Sequence, residues 1–300
     1  MTGKTKNEAG SGAGRGEEGG CLYLVATPIG NLEDITLRAL RVLNEADAIA
    51  CEDTRQTSKL LARHEIRKRL ISYHEHNEIT RAPEIVIELE QGAKIALVTD
   101  AGTPAISDPG ERLVALCLRH GIRVAPVPGA TALGAAVSAA GIPVDEFTFI
   151  GFLPSRPTER RKKLRALAAE PRVIAAYEAP HRLLETLEDA LEILGNRPAV
   201  VAREMTKIHE QFLRGHLEEL AATARKTAPR GEITLLIGPA DGQPLHTQQA
   251  EAARVPLAHH VEEIMRQRGV DQKAALKQAA RERGLTRREA YKQLLITRGE

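Results

Sequence analysis

Val98-Thr-Asp-Ala-Gly-Thr-Pro-Ala-Ile-Ser-Asp-Pro-Gly110 is the stretch on which the reading of the fold turns. Ile95-Ala96-Leu97-Val98 leads into it as an apolar run and reads as a buried strand. Asp100, Gly102, Pro104, Asp108, Pro109 and Gly110 then crowd the segment with residues that break regular structure. Asp108 reads as a helix N-cap, Pro109 as the first helical position and Glu111 as the capping-box acid of a helix carrying Leu113, Leu116 and Cys117. The order is strand, special loop, helix. In open α/β sheets a ligand binds just past the carboxyl end of a strand. A plain connection there needs only about 2–6 residues, and this loop is longer.

Two more loops repeat the pattern. Leu22-Tyr-Leu-Val-Ala26 is the first apolar run, and Thr27-Pro28-Ile29-Gly30-Asn31-Leu32-Glu33-Asp34 follows it, with Thr36 placed to cap a helix of Leu37, Leu40 and Leu43. Val127-Pro128-Gly129-Ala130-Thr131 follows the strand Ile122-Arg-Val-Ala125. The candidate ligand contacts in the three loops are Pro28, Gly30, Asp100, Gly102, Thr103, Ile106, Ser107, Pro128, Gly129 and Thr131. None of the loops has the glycine spacing of a dinucleotide fingerprint or a P-loop, so the ligand is not expected to be held by phosphates.

Working outward, strands are expected at Leu22–Ala26, Ala48–Cys51, Leu70–Tyr73, Ile95–Thr99 and Ile122–Ala125, with helices between them such as Pro83–Gln91. That alternation predicts an α/β domain over 21–135, its parallel sheet covered on both faces. A second α/β domain over 136–240 continues with strands near Phe147–Ile150, Val173–Tyr177, Ala199–Ala202 and Ile233–Ile237. Its clearest helix is Pro180–Leu194, with Leu183, Leu184, Leu187, Leu191 and Leu194 at helical spacing. A polar linker, 241–255, leads to a helical module over 256–300. There Leu257, Val261, Ile264 and Met265 make one stripe, Val270, Ala274, Ala275 and Ala279 a second, and Thr286-Arg-Arg-Glu289 opens a third helix with Tyr291, Leu294 and Leu295. The module reads as helix-turn-helix-like, or else as a dimerisation or packing module.

The chain has 300 residues, 42% hydrophobic and 27% charged, a soluble globular composition. No apolar window is long enough for a membrane span. The Gly-, Glu- and Lys-rich segment 1–20 reads as a disordered tail rather than a signal peptide, which makes the protein cytoplasmic. Cys21, Cys51 and Cys117 lack metal-ligand or disulfide spacing, and no metal is expected. Net charge is only +2, but from Glu251 to Glu300 eleven Lys or Arg face seven Asp or Glu. Arg156 to Arg165 forms a second basic cluster. Such clusters attract polyanions, or else mark a solvated helix face.

Seven motifs in collinear order carry a resemblance. They are Thr27-Pro-Ile-Gly-Asn-Leu-Glu-Asp-Ile-Thr36, Cys51-Glu-Asp-Thr-Arg55, Val98 to Gly110, Val127-Pro-Gly-Ala-Thr131, Gly151-Phe-Leu-Pro154, Tyr177-Glu-Ala-Pro-His-Arg182 and Ala202-Arg-Glu-Met-Thr-Lys207. From Leu22 to Gly238 the chain resembles the tetrapyrrole methylase superfamily (class III methyltransferases), and the later motifs are similar to its ribosomal RNA branch. One departure is Ala179, where a serine is expected; alanine cannot donate a hydrogen bond, and no role is carried onto it. The resemblance implies two α/β domains with a cofactor cleft between them, S-adenosyl-L-methionine as cofactor, and a homodimer. It implies 2′-O-methylation of a cytidine ribose, cytidine 1402 of 16S rRNA in the decoding centre, with the small ribosomal subunit as partner. A corrinoid- or porphyrin-pathway methylase is the rival within the superfamily, and a non-enzymatic nucleic-acid binder the rival outside it.

Methyl transfer to a ribose hydroxyl needs close in-line positioning and a base for the departing proton. Candidate catalytic groups are Glu178, His181 and Arg182, beyond the strand Val173–Tyr177, and Glu52 and Asp53, beyond Ala48–Cys51. His181 or a carboxylate would take the proton while Arg182 clamps a phosphate. Helix capping is the plainer role for Asp53 and for Glu178 through Arg182. Glu204 is a further carboxylate. Candidate RNA contacts are Arg55, Arg160, Arg161, Lys162, Arg203, Arg287, Arg288 and Lys292.

Overall fold

The computed structural model describes residues 19–227, 229–239, 257–282, 285, 289–292 and 294. The chain divides into one compact unit ending at Thr131 and another beginning at Ala132.

The first unit is an all-parallel sheet. Its strands are β1 (Cys21–Val25), β2 (Ala48–Cys51), β3 (Arg69–Ser72), β4 (Lys94–Val98) and β5 (Arg123–Val127), in the order β3-β2-β4-β1-β5. Parallel strands need crossover helices, and these are α1 (Leu37–Glu45), α2 (Thr54–Arg63), α3 (Glu78–Glu90) and α4 (Glu111–Arg119). Strand side chains alternate faces. Ile95 and Leu97 therefore pack with Ile85 and Leu89 of α3 and Leu113 and Cys117 of α4, while Ala96 and Val98 pack with Val42 and Leu43 of α1 and Leu61 of α2. Each such fully buried leucine contributes about 1.5–3 kcal/mol. Pro126 is tolerated within β5 because that strand is the sheet edge. Cys21, Cys51 and Cys117 are free and buried, and burial pushes the Cys117 thiol up to about 11.

Several boundaries differ from the sequence expectation. Thr36 caps α1 as expected, accepting the Ala39 amide at 3.0 Å. Asp108 does not cap α4; Gly110 is the N-cap, with no side-chain bond. Helix α3 starts at Glu78 and carries Pro83 inside it, held by its buried face of Ala82, Ile85, Val86 and Leu89.

The second unit contains α5 (Ala132–Ala139), β6 (Phe147–Phe152), α6 (Pro157–Ala166), β7 (Val173–Glu178), α7 (Leu183–Leu194), β8 (Pro198–Arg203), β9 (Gln211–His216), α8 (Leu217–Lys226) and β10 (Ile233–Ile237). Its sheet runs β6-β7-β10-β8-β9 and is mixed. Only the β6–β7 pair is parallel; the other three are antiparallel. The parallel sheet expected of the first domain is thus found there, and the second unit's sheet is mixed. Strand β9 is not among the expected strands, since Gln211-Phe-Leu-Arg-Gly-His216 lacks a continuous apolar run. The expected helix Pro180–Leu194 divides into a 3₁₀ turn, Pro180–Arg182, and α7. The leucines of α7 pack against Ile174, Ala176, Leu164, Leu217 and Leu220, as core and nothing else.

In the C-terminal region α9 (Leu257–Arg268) and α10 (Gln272–Glu282) share an apolar cluster with Ala290 and Leu294. Tyr291, expected in the third stripe, is 58% exposed, because Ala290 and Leu294 occupy the buried face at i, i+4 spacing. The linker 241–255 and Arg287 and Arg288 lie outside the described residues. No helix among the described residues is long and apolar enough to cross a membrane.

Candidate active site

At the carboxyl edge of the first sheet the loops after β1, β4 and β5 are tied to one another. Thr27 and Gly102 exchange both backbone bonds, Thr27 N donating to Gly102 O at 2.9 Å and Gly102 N to Thr27 O at 3.2 Å. The Thr27 hydroxyl also donates to Thr99 O at 3.0 Å. The Thr103 hydroxyl donates to Ala130 O at 3.3 Å, binding the β4 loop to the β5 loop. The loop after β2 joins through Asp53 N, which donates to Asp100 Oδ1 at 3.2 Å.

The long loop is bent in an unusual way. Gly102 has φ +89°, and Ala105 and Ser107 also have positive φ, +65° and +64°. Each non-glycine residue held there costs on the order of 1–3 kcal/mol, a cost that proteins concentrate at functional sites. The result leaves Asp100, Ile106 and Ser107 exposed beside Pro128 and Gly129, while Pro28 is buried and Thr103 and Thr131 are half-buried. The expected contacts of the three loops, Gly30 included, thus stand at one sheet edge. Gly129 is required for packing: a Cβ there would lie 2.9 Å from the Ala26 Cβ.

The edge is acidic. Burial, together with the Asp100 charge, raises the Glu52 carboxyl; burial also raises Asp100. Burial and the neighbouring Glu52 push Asp108 up to about 6. Thr99, 4% exposed, counters part of the rise at Glu52 and Asp108, yet its Oγ1 has no close hydrogen-bond partner. Asp53 behaves oppositely: its bonds to the Arg55 side chain, at 2.7 and 3.1 Å, and to the Arg55 amide hold it at about 2. Asp53 is also the N-cap of α2, the plainer role expected for it. Glu52, Asp53, Arg55, Ser72, His74 and His76 line one cavity of about 420 Å³, and Ser107 and Asp108 line another of about 640 Å³. No group among the described residues could hold a metal ion. An edge of clustered carboxyls favours a positively charged ligand over a phosphate.

In the second unit β7 ends in a buried anchor. The Glu178 side chain is fully buried; Oε1 accepts the Arg182 guanidinium at 2.8 Å and the Ala179 amide at 2.7 Å, and Oε2 accepts the Thr186 hydroxyl at 2.6 Å. Arg182 also donates to Leu153 O at 3.4 Å. Both Glu178 oxygens are therefore engaged within the fold, and His181 is the exposed group of the trio. Sequence reasoning misses Thr186, since nothing in a leucine-striped helix marks one threonine as a carboxylate partner.

The candidate RNA contacts separate into two kinds. Arg160 is not a surface cation: it is 2% exposed, bonded to Asp189 at 2.7 Å and to Glu185 at 3.4 Å. Arg161 shares Asp189 at 2.7 Å and reaches Glu192 at 3.3 Å. Arg203 is half-buried and bonds Arg230 O, and Glu204 is held down by Lys207. Lys162 and Lys292 are exposed, as is Arg55, whose side chain is 85% exposed.

The first unit thus offers, at the carboxyl edge of its sheet, a site suited to a positively charged ligand. The pattern of the family described as Tetrapyrrole (Corrin/Porphyrin) Methylases matches residues 21–221, and the chain belongs to that family. A protein of Halalkalibacterium halodurans named Ribosomal RNA small subunit methyltransferase I is 47% identical over 264 residues, covering 88% of this chain and 91% of its own. Proteins of the same name from Thermotoga maritima and Bacillus subtilis are 51% identical over 73% of this chain and 98% of theirs, and 44% identical over 87% and 89%. Among solved structures, a cobalt precorrin-4 methyltransferase superposes with TM-score 0.57 at 21% identity, covering 73% of this chain and 94% of its own. The Thermus thermophilus uroporphyrin-III C-methyltransferase, complexed with S-adenosyl homocysteine, superposes with TM-score 0.53 at 22% identity, covering 74% and 98%. At such identities these structures speak for the fold.

Proposed function

We propose that the protein is a ribosomal RNA methyltransferase that uses S-adenosylmethionine to methylate the 2′-hydroxyl of a cytidine in small-subunit rRNA, cytidine 1402 of the decoding centre. The observation that carries this reading is the 44–51% identity to proteins named for small-subunit rRNA methylation, which extends over nearly their whole lengths. When bound, S-adenosylmethionine supplies a methyl group activated by a sulfonium. Asp100, Gly102, Thr103, Ile106, Ser107 and Thr131 hold it, together with Pro28, Gly30, Pro128 and Gly129. Asp100 and its acidic neighbours favour its positive charge.

His181 would take the 2′-hydroxyl proton as the methyl group leaves the sulfonium sulfur, now a neutral thioether, for the 2′-oxygen. Glu178 and Arg182 lock the turn that presents it, so Arg182 acts mainly as a positioning residue. Phosphate binding then falls to exposed cations: Arg55, Arg156, Lys162, Lys163 and Lys292, with Arg203 lending one partly buried edge. A second assignment of the base is favoured by one observation, the raised carboxyls of Glu52 and Asp108, since a base poised nearer neutrality transfers protons more effectively. The C-terminal helices dock the substrate. The enzyme works in the cytoplasm as a homodimer, on the assembled small subunit.

The test is transfer of labelled methyl from S-adenosylmethionine to unmodified small subunits, to free 16S rRNA and to uroporphyrinogen, followed by nucleoside analysis. 2′-O-methylcytidine from the subunits is expected. Label on a tetrapyrrole, or on a different nucleoside, overturns the reading. His181→Ala should lower the single-turnover rate by about 10²–10⁴-fold with cofactor binding intact. If Glu52→Gln or Asp108→Asn alone has that effect, the base lies in the first unit.

A further inference from the structure

Gly151-Phe152-Leu153-Pro154 has no part in the chemistry above, yet its backbone departs from a regular strand in a specific way. In the β6–β7 pair Phe149 lies opposite Ala175 but Phe152 lies opposite Tyr177, so three steps on β6 match two on β7. That is a β-bulge, and Gly151 takes φ +65° within it. Side chains alternate faces along a strand. Without the extra residue Phe152 would fall on the face of Ile150, toward the cluster of Ile174 and Ala176. With it, Phe152 moves to the opposite face beside Phe149 and Tyr177. The Phe152 and Tyr177 ring centroids are 5.5 Å apart at 59°, and those of Phe149 and Tyr177 5.1 Å apart at 70°. Phe152 is nevertheless 55% exposed. The bulge thus removes a large aromatic from core packing, braces it against Tyr177 and leaves its ring open to solvent.

The surroundings specify what the ring meets. The Leu153 carbonyl is bonded to Arg182, so the platform is fixed to the same turn that carries His181. Arg156, Lys162, Lys163 and Arg165 follow within a few residues, all exposed. An aromatic ring followed by a cationic strip is complementary to a polymer with planar rings and regularly spaced negative charge.

We propose that Phe152, backed by Tyr177, is a stacking platform for a nucleobase of single-stranded RNA, and that Arg156, Lys162 and Lys163 track the phosphates leading from it. The proposal rests on the ribosomal RNA reading and adds to it the group that receives a base taken out of its helix. Stacking of this kind tolerates any base, since every base has a π-face; the platform therefore grips without selecting.

The chain contains no tryptophan, so Phe152→Trp installs the only indole at the platform, excited to the red of the four tyrosines. It is titrated with a cytidine hexaribonucleotide and with an abasic hexamer of the same charge. Quenching by the first and not by the second is expected. Equal quenching by both, or none by either, overturns the proposal. In parallel, Phe152→Ala should weaken small-subunit methylation by about 5- to 150-fold in kcat/KM, the range for loss of one stacked base. S-adenosylmethionine affinity should not change, and Phe152→Tyr should restore activity. A Phe152→Ala protein with full activity, or one whose only change is a halved solution mass, also overturns it, the latter because the ring then covers a second copy. Failure of the rRNA reading is seen separately, as a wild-type protein that methylates no RNA; the tryptophan titration then decides the platform alone.

Discussion

Glu178 and Arg182 meet at 2.8 Å with the glutamate side chain wholly buried and the arginine 16% exposed. Removing one partner of a buried pair leaves the other charge uncompensated and costs about 3–5 kcal/mol. Glu178→Ala should therefore be destabilised by that amount in urea denaturation. Glu178→Gln should lose less, because the amide oxygen can still accept from Thr186. A loss below about 1 kcal/mol for Glu178→Ala would show that the buried anchor is not holding the turn.

Gly102 and Gly129 both belong to the loop edge but should fail for different reasons. At Gly102 a Cβ meets only the Ile29 Cγ2, at 3.4 Å, and the more distant Ala130 O, so the penalty is the positive φ rather than a clash. Gly102→Val should cost about 1–3 kcal/mol and abolish S-adenosylmethionine binding in calorimetry. Gly129→Ala drives a methyl group to 2.9 Å from Ala26 and should destabilise by about 1–3 kcal/mol through overpacking. Unchanged cofactor affinity in a folded Gly102→Val protein would remove the long loop from the binding site.

Asp108 gives the first unit a pH dependence of definite sign. Its ordinary value is 3.8, and burial beside Glu52 raises it to about 6 in the folded chain. Between these values the folded state binds more protons than the unfolded state, so stability falls as pH rises through the window. Asp108→Asn removes the penalty. Its melting temperature should exceed that of the wild type at pH 7–8 and converge with it near pH 3.5. A difference that is constant across that range would mean the carboxyl is not the cause.

The sheet edge is legible in the sequence because its signals are local. Glycine and proline at fixed places after an apolar run are written in consecutive residues, so the loops at Thr27, Gly102 and Gly129 can be read directly. The same holds for Thr36, whose capping partner Ala39 is three residues away. What stays hidden depends on distant partners. Asp108 looks like a helix cap because its sequence neighbours suit one; in the fold Gly110 holds that position, and the β2–β4 pairing instead brings Glu52 near enough to raise the Asp108 carboxyl. Strand β9 forms because β8 offers it an edge, despite a polar composition of its own. Arg160 and Arg161 are adjacent to Lys162 and Lys163 in one basic run, and only α7, carrying Asp189, separates structural cations from exposed ones.

That separation makes a sharp test within four consecutive residues. Arg160→Ala leaves Asp189, whose side chain is 5% exposed, with Arg161 alone, and should destabilise by about 1.5–3 kcal/mol, the loss of one charged hydrogen bond. Lys162→Ala and Lys163→Ala should leave the urea midpoint within error, since neither lysine is part of the buried Asp189 pairing. Their effect should appear in RNA association instead. Each phosphate that is no longer neutralised should lower the dependence of log affinity on log salt by about 0.7–0.9. Small-subunit binding followed across a salt series for the three variants separates the roles. If Arg160→Ala reduces the salt slope with no loss of stability, its guanidinium faces the substrate after all; if the two lysine variants keep the wild-type slope, the phosphates run elsewhere.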